Sequence, residues 1–150
     1  MRANAERQRA LADIAQLQAL KADAAEMRLA EAKRVVERAT ETHQEQLSNC
    51  NEVEAAWSAS LGVHGTASDI TLYWADGLCS AATAARDADT QLQRCQEDEK
   101  RAEDASRRAL LERDVAQGLA RRARLSLFRK RDEQRLHETA ERHSHKGSRS

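Results

Sequence analysis

Hydrophobic and small residues recur every seven positions along both halves of the chain. In the first half the repeat gives two interleaved series, Leu29, Val36, His43, Cys50, Trp57 and Ala25, Ala32, Ala39, Gln46, Val53. In the second half it gives Trp74, Ala81, Ala88, Cys95, Ala102, Ala109, Ala116, Ala123 and Leu78, Ala85, Leu92, Glu99, Ser106, Arg113, Ala120, Leu127. Such a repeat is typical of α-helices that pack along a shared seam as a coiled coil.

One segment interrupts this pattern. Residues 62–69 read Gly-Val-His-Gly-Thr-Ala-Ser-Asp, which combines glycines that suit a helix C-terminus with side chains that suit the N-cap of the next helix. The sequence therefore predicts helices over residues 3–61 and 69–142, joined by a loop at residues 62–68. The polar residues 143–150 are predicted to form a disordered tail.

The two seams match each other if the chain folds back at the glycine segment. When Trp57 lies opposite Trp74, the residue numbers of facing partners sum to 131, and the same rule pairs Val53 with Leu78. Because the two seams are identified independently, their agreement predicts an all-α fold, a single long antiparallel two-helix coiled-coil hairpin. Between Glu99 and Arg113 one series is polar, so the seam is predicted to be weak there.

Near the N-terminus the hydrophobic residues change phase. Leu11, Ile14, Leu17 and Leu20 form a stripe that departs from the seam series. Either the coiled coil contains a stutter at this point or the stripe is a face for another partner.

The composition favours long helices over a compact core. The chain has no proline, aromatic residues make up 3% of it, and much of its 40% hydrophobic content is alanine. Proline is the residue that a helix interior tolerates least, and alanine is the best helix former. The sequence lacks a glycine-rich phosphate loop and the HExxH and GxSxG motifs. We therefore expect a protein that is not an enzyme and that holds no cofactor or metal.

Charge is balanced over the whole chain but not along it. The net charge is zero, yet residues 120–150 carry ten Lys or Arg against four Asp or Glu, a local charge of +6. No run of 18 apolar residues is present and the N-terminus is polar. We therefore expect no membrane span and a cytoplasmic protein.

Cysteine and histidine side chains have simpler interpretations than catalysis or metal binding. Cys50, Cys79 and Cys95 lack the CxxC spacing and are interpreted as small, partly buried thiols. His43 falls on the seam, where a neutral ring packed against Ala88 is favoured over a pH switch. The histidines of the C-terminal end are interpreted as parts of a polar tail rather than a metal site; they are His137, His143 and His145.

Three of the four aromatic residues lie near the predicted loop. Trp57 and Trp74 are interpreted as an apolar plug that closes the hairpin, with a partner-binding hot spot as the alternative. Tyr73 lies off the seam and is a candidate for an exposed partner contact, as is Leu47.

The most distinctive segment runs from Leu119 to Arg131 and is both basic and amphipathic. Its candidate contact residues are Arg121, Arg122, Arg124, Leu125, Phe128, Arg129 and Arg131. Four interpretations fit it: a solvated helix face, a nucleic-acid-binding surface, a membrane-surface helix, or a docking site for an acidic protein surface. The apolar residues Leu125 and Phe128 favour a protein surface over a simple phosphate-binding tail.

In outline the whole chain resembles the FliJ/SctO (YscO-like) family of type III secretion and flagellar export. The resemblance rests on a lone proline-free hairpin of about this length, a second helix longer than the first and a tryptophan soon after the turn. It also rests on the segment Ala-Arg-Arg-Ala-Arg-Leu-Ser-Leu-Phe-Arg-Lys-Arg-Asp-Glu, residues 120–133. The chain departs from the family in being rich in alanine and poor in aromatics and glutamine.

The resemblance implies a central stalk that is not an enzyme. The end that carries both termini would insert into a hexameric secretion ATPase, and other parts would contact the cytoplasmic ring of the export gate and escort secretion chaperones. Such a protein would lie in the cytoplasm at the periphery of the secretion apparatus. The alternative is a nucleic-acid-binding or scaffold coiled coil that uses the basic C-terminal segment.

Overall fold

The computed structural model describes residues 2–64 and 68–147, with side chains over 3–63 and 69–143. It contains two α-helices, α1 (Arg2–His64) and α2 (Ser68–Gly147), which pack against each other as an antiparallel hairpin. The predicted all-α hairpin is confirmed.

The helix ends differ from the predicted ones. α1 continues past residue 61 to His64, so Gly62 lies inside the helix rather than in a left-handed C-terminal cap. A glycine in a helix interior costs only about 1 kcal/mol relative to alanine, which is too little to stop a long helix. α2 continues through residues 143–147 of the predicted tail. Residues 65–67 of the predicted loop and 148–150 of the predicted tail lie outside the described residues.

The chain divides into two compact units, each built from both helices. The middle unit is Glu26–Ala105, and the terminal unit combines Met1–Ala25 with Ser106–Ser150.

In the middle unit every predicted seam position is buried or half-buried, and Ala81, Ala85 and Cys95 are the most enclosed. Two distances between the helices establish the register. A Cβ atom at Gly77 would lie 4.0 Å from Cγ1 of Val53, and Nε2 of His43 lies 3.9 Å from Oδ1 of Asp89. Both contacts agree with the predicted register to within one residue.

In the terminal unit the same seven-residue repeat continues without interruption. Ala15 and Ala22 of α1 are buried, as are Ser106 and Ala116 of α2, and Leu11 is half-buried at the next seam position. Ile14, Leu17 and Leu20 are exposed. Of the two interpretations of this stripe, the stutter is therefore wrong, because alanines carry the seam here while the larger residues point outwards.

The terminal seam contains one polar layer. Gln18 lies on the seam at the level of Arg113, and its Oε1 is buried with no hydrogen-bond donor. Arg113 instead donates from Nε and Nη2 to Oδ1 of the adjacent Asp114, at 3.1 and 3.0 Å. A buried acceptor without a donor costs about 1–3 kcal/mol, so this layer lowers the stability of the terminal seam at the level of Arg113.

Candidate partner-binding surface

The basic segment of α2 presents a continuous face of arginines in the terminal unit. Residues at positions i, i+3, i+7, i+10 and i+14 share one side of a helix. Here that set, which we name the arginine face, consists of Arg121, Arg124, Phe128, Arg131 and Arg135, all of them exposed. The face therefore carries four guanidinium groups and one aromatic ring.

Phe128 is held in the arginine face by a cation–π contact. The guanidinium carbon of Arg124 lies 5.6 Å from the centroid of the Phe128 ring. An exposed contact of this kind contributes about 0.5–1 kcal/mol, enough to bias the ring toward one position. The arginine face thus combines charge with an apolar anchor.

The remaining predicted contacts lie on a neighbouring face of α2. Arg122, Leu125 and Arg129 are exposed and are rotated by roughly 100° from the arginine face, since each residue turns the helix by that angle. The predicted contact residues of the segment are thus divided between two faces. Arg135 was missed by the sequence analysis, although its position four residues after Arg131 identifies it as part of the arginine face.

A shallow groove of about 340 Å³ lies between the first turns of α1 and the basic segment of α2. Three basic side chains line it, namely Arg7, Arg122 and Lys130. The first turn of α1 has no acidic residue, so the positive end of the helix dipole adds to these three charges. The groove therefore suits a carboxylate or another anionic group. Arg7 was also missed, because the register was not extended to the N-terminus.

α2 continues beyond the first residue of α1. The register places Arg2 at the level of Arg129, and every residue from 128 to 143 is exposed. This part of α2 is a single polar helix, with apolar Leu136 exposed on it. The last part of the arginine face, Arg131 and Arg135, lies on this exposed stretch.

The other two predicted contacts belong to the middle unit. Leu47 is exposed, and Tyr73 is 72% exposed although its ring packs edge-on against Trp74, with centroids 5.5 Å apart. Trp57 and Trp74 are half-buried at their seam positions, and Nε1 of Trp57 is buried without an acceptor. Val63 and Leu72, which the sequence analysis did not single out, are also exposed.

The three cysteines differ in burial, and two histidines near the end of α2 contact neighbouring residues of that helix. Cys95 is buried, Cys50 half-buried and Cys79 exposed, so the interpretation of partly buried thiols is wrong for Cys79. Nδ1 of His137 lies 3.3 Å from the Glu141 carboxylate, and Nδ1 of His143 lies 2.9 Å from the Thr139 carbonyl oxygen.

Over the described part of the chain, no three His, Cys, Asp or Glu side chains come together as a metal site would require. Neither helix, where described, contains a stretch apolar enough to cross a membrane.

Comparison of the chain with protein-family models, with curated proteins and with solved structures finds no match.

Proposed function

We propose that this protein is a non-enzymatic central stalk of a type III secretion or flagellar export ATPase complex. In this proposal the end with both termini inserts into the hexameric ATPase, and the middle unit contacts the export gate or a secretion chaperone. The observation that carries the proposal is the exposed arginine face on a helix of a two-helix hairpin. The resemblance to the FliJ/SctO family supplies the identity of the partner.

The chemistry of the terminal unit supports an acidic protein partner. Arginine forms bidentate hydrogen bonds with carboxylates and remains charged at any physiological pH. Phe128 and Leu125 supply apolar area beside those charges, and aromatic and arginine side chains are enriched at the energetic centres of protein interfaces. The groove lined by Arg7, Arg122 and Lys130 would receive an acidic side chain of the same partner.

The test is a reconstituted assay with the hexameric secretion ATPase of the same organism. We expect the purified protein to bind the hexamer in a pull-down and to raise its rate of ATP hydrolysis in a saturable manner. Absence of both binding and stimulation would contradict the proposal.

A second candidate function is nucleic-acid binding through the same arginine face, since Phe128 offers a ring on which a base can stack. It predicts binding to DNA or RNA that weakens steeply with salt and that is lost when Arg121 and Arg124 of that face, together with the neighbouring Arg122, are changed to Glu. A gel shift at low salt distinguishes the two functions, because the stalk proposal expects no shift.

A further inference from the structure

The terminal unit exposes large apolar side chains on one side of the helix pair. Ala22 lies at heptad position a of α1 and Ala116 at position d of α2. Counted from these, four apolar residues occupy positions g and c, and we name them the apolar cluster: Ile14, Leu17, Val115 and Leu119. In an antiparallel pair the g positions of both helices flank the same edge of the seam, and the c positions lie beside them. The four side chains are 47–63% exposed, so the cluster faces outwards.

The register brings the members of the apolar cluster to nearly the same height. Facing residue numbers sum to 131, so Leu17 lies beside Val115 and Ile14 lies beside Leu119, each to within two residues. The groove between the helices agrees with this register in the terminal unit, because Leu11 and Leu119 line it together. The cluster therefore occupies roughly 8 Å along the helix axes.

Cations flank the apolar cluster at both ends. Over residues 7–21 and 108–122, the charged residues at g and c positions are Arg7, Lys21, Arg108, Arg122 and Glu112, four positive charges against one negative. Arg7 lies near the height of Arg122, and Lys21 near that of Arg108. The two pairs are separated by about 20 Å of helix, and the apolar cluster lies midway between them.

These four cations form no ion pair within the described part of the chain. In the middle unit, by contrast, Arg34, Arg38 and Arg101 form ion pairs with acidic residues of their own helix, at distances of 3.2–3.9 Å. The positive charge around the apolar cluster is therefore available to a partner.

The groove between the first turns of α1 and the basic segment of α2 opens on this same side. Its lining comes from seam positions and from positions g and c, among them Arg7, Leu119 and Arg122. The groove thus adjoins the apolar cluster at Leu119 and carries two of the four cations. Side chains of a partner that lies along the cluster can extend into it.

We propose that this side of the terminal unit docks one acidic amphipathic helix, which lies between α1 and α2 as the third helix of a local bundle. Apolar side chains of that helix cover the apolar cluster, and its carboxylates, about 20 Å apart, face the two pairs of cations. The inference rests on the proposed function only for the source of the helix, which belongs to the partner that receives the terminal unit.

The chemistry favours a protein helix over a nucleic acid or a lipid surface. Aliphatic side chains neither stack on bases nor form hydrogen bonds with them, as recognition of a nucleic acid requires. A flat bilayer surface leaves a recessed groove of about 340 Å³ unfilled, whereas the side chains of a helix can enter it.

The first test measures the binding of synthetic peptides to the full chain by fluorescence anisotropy. The probe is a labelled helical peptide of roughly 20 residues, long enough to reach both pairs of cations, with leucines along one face and glutamates at both ends. We expect saturable binding at physiological ionic strength. A peptide with lysines in place of the glutamates, and one with the leucines distributed around the helix, should each bind about tenfold or more weakly. Absence of binding, or equal binding of the three peptides, overturns the proposal.

The second test locates the binding site on the protein. Leu17→Ser/Val115→Ser should lower the affinity for the probe about tenfold or more, with unchanged helical circular dichroism because both side chains are exposed. The matched variant Val35→Ser/Leu72→Ser changes two exposed residues of the middle unit and should bind the probe like the wild type. Equal loss of affinity in the two variants overturns the assignment to this side.

The third test exchanges the charges. Lys21→Glu/Arg108→Glu/Arg122→Glu turns the four-to-one excess of positive charge into an equal excess of negative charge, so the variant should prefer the lysine peptide over the acidic probe. A variant that keeps the preference of the wild type contradicts the proposed role of these cations.

Two further measurements separate this inference from its alternatives. If the wild type binds vesicles of phosphatidylcholine and phosphatidylserine but not the probe, the side belongs to a lipid surface and the proposal is overturned. If the probe binds while the protein fails to stimulate the secretion ATPase, the docking site stands and the stalk function is wrong. Stimulation of the ATPase without binding of the probe overturns the docking site alone.

Discussion

Val53 of α1 and Gly77 of α2 face each other so closely that a Cβ atom at Gly77 would lie 4.0 Å from Cγ1 of Val53. This distance is an ordinary van der Waals contact, and it sets the height at which the two helices of the middle unit meet. The contact of His43 with Asp89, at 3.9 Å, gives the same register farther along the unit.

Cysteines at these two positions should therefore form a disulfide within one chain. In a background with Cys50→Ala, Cys79→Ser and Cys95→Ala, we expect Val53→Cys/Gly77→Cys to cross-link on mild oxidation. Cγ1 of Val53, the atom nearest to where a cysteine Sγ would lie, is 4.0 Å from a Cβ atom at Gly77, and a disulfide requires side chains in such close contact. The product is measured as a mobility shift on a non-reducing gel together with an unchanged monomer mass.

The control for that cross-link is Val53→Cys/Ala84→Cys. It moves the second cysteine by one heptad, about 10 Å along the helix, and should remain reduced. Cross-linking of the control in preference to the first pair would show that the register is wrong.

Close approach of the helices at Ala22 gives a second prediction. Ala22 is 0% exposed on the seam, so Ala22→Leu would force three more carbon atoms into a filled space. We expect the free energy of unfolding to fall by about 1–3 kcal/mol, measured by urea denaturation. Ala24→Leu makes the same change at an exposed position two residues away and should change stability little. Equal effects of the two changes would contradict the alanine seam.

The buried acceptor on Gln18 gives a third prediction. Gln18→Leu removes the Oε1 atom that lacks a donor and adds apolar contact at the seam. The thermal midpoint should rise, with a gain in stability of about 1 kcal/mol. Gln16→Leu at an exposed position controls for helix propensity and should give no comparable gain. A fall in stability for Gln18→Leu would mean that the amide makes a stabilising contact.

The helical hairpin could be predicted from the sequence, because a seven-residue repeat on both sides of a single break is compatible with few other folds. The seam positions around Ala81, Ala85 and Cys95 followed directly from that repeat. The terminal unit was harder to predict, because alanine forms its seam while Ile14, Leu17 and Leu20 lie outside. A prediction that follows the largest hydrophobic residues selects the exposed stripe there and misses the buried one.

The candidate site was predicted only in part, for a different reason. The basic segment identified Arg121, Arg124 and Arg131 as candidate contacts. The order of residues along the chain does not by itself show which of them share a face of the helix. The three-dimensional arrangement adds Arg135 to the arginine face and assigns Arg122 to the groove with Arg7. The groove depends on residues that are more than 100 positions apart in the sequence, and only the register brings them together.

The measurement that tests the proposed stalk most directly is the ATP hydrolysis rate of the secretion ATPase hexamer with charge-reversed variants of this protein. The wild type should raise the rate, and Arg121→Glu/Arg124→Glu/Arg131→Glu should abolish the increase, because the arginine face then repels acidic groups of the hexamer. A matched variant, Lys33→Glu/Arg86→Glu/Arg94→Glu, reverses three exposed cations of the middle unit and should stimulate like the wild type. If the wild type fails to raise the rate, or if the two variants lose stimulation equally, the assignment of the arginine face to the ATPase is wrong.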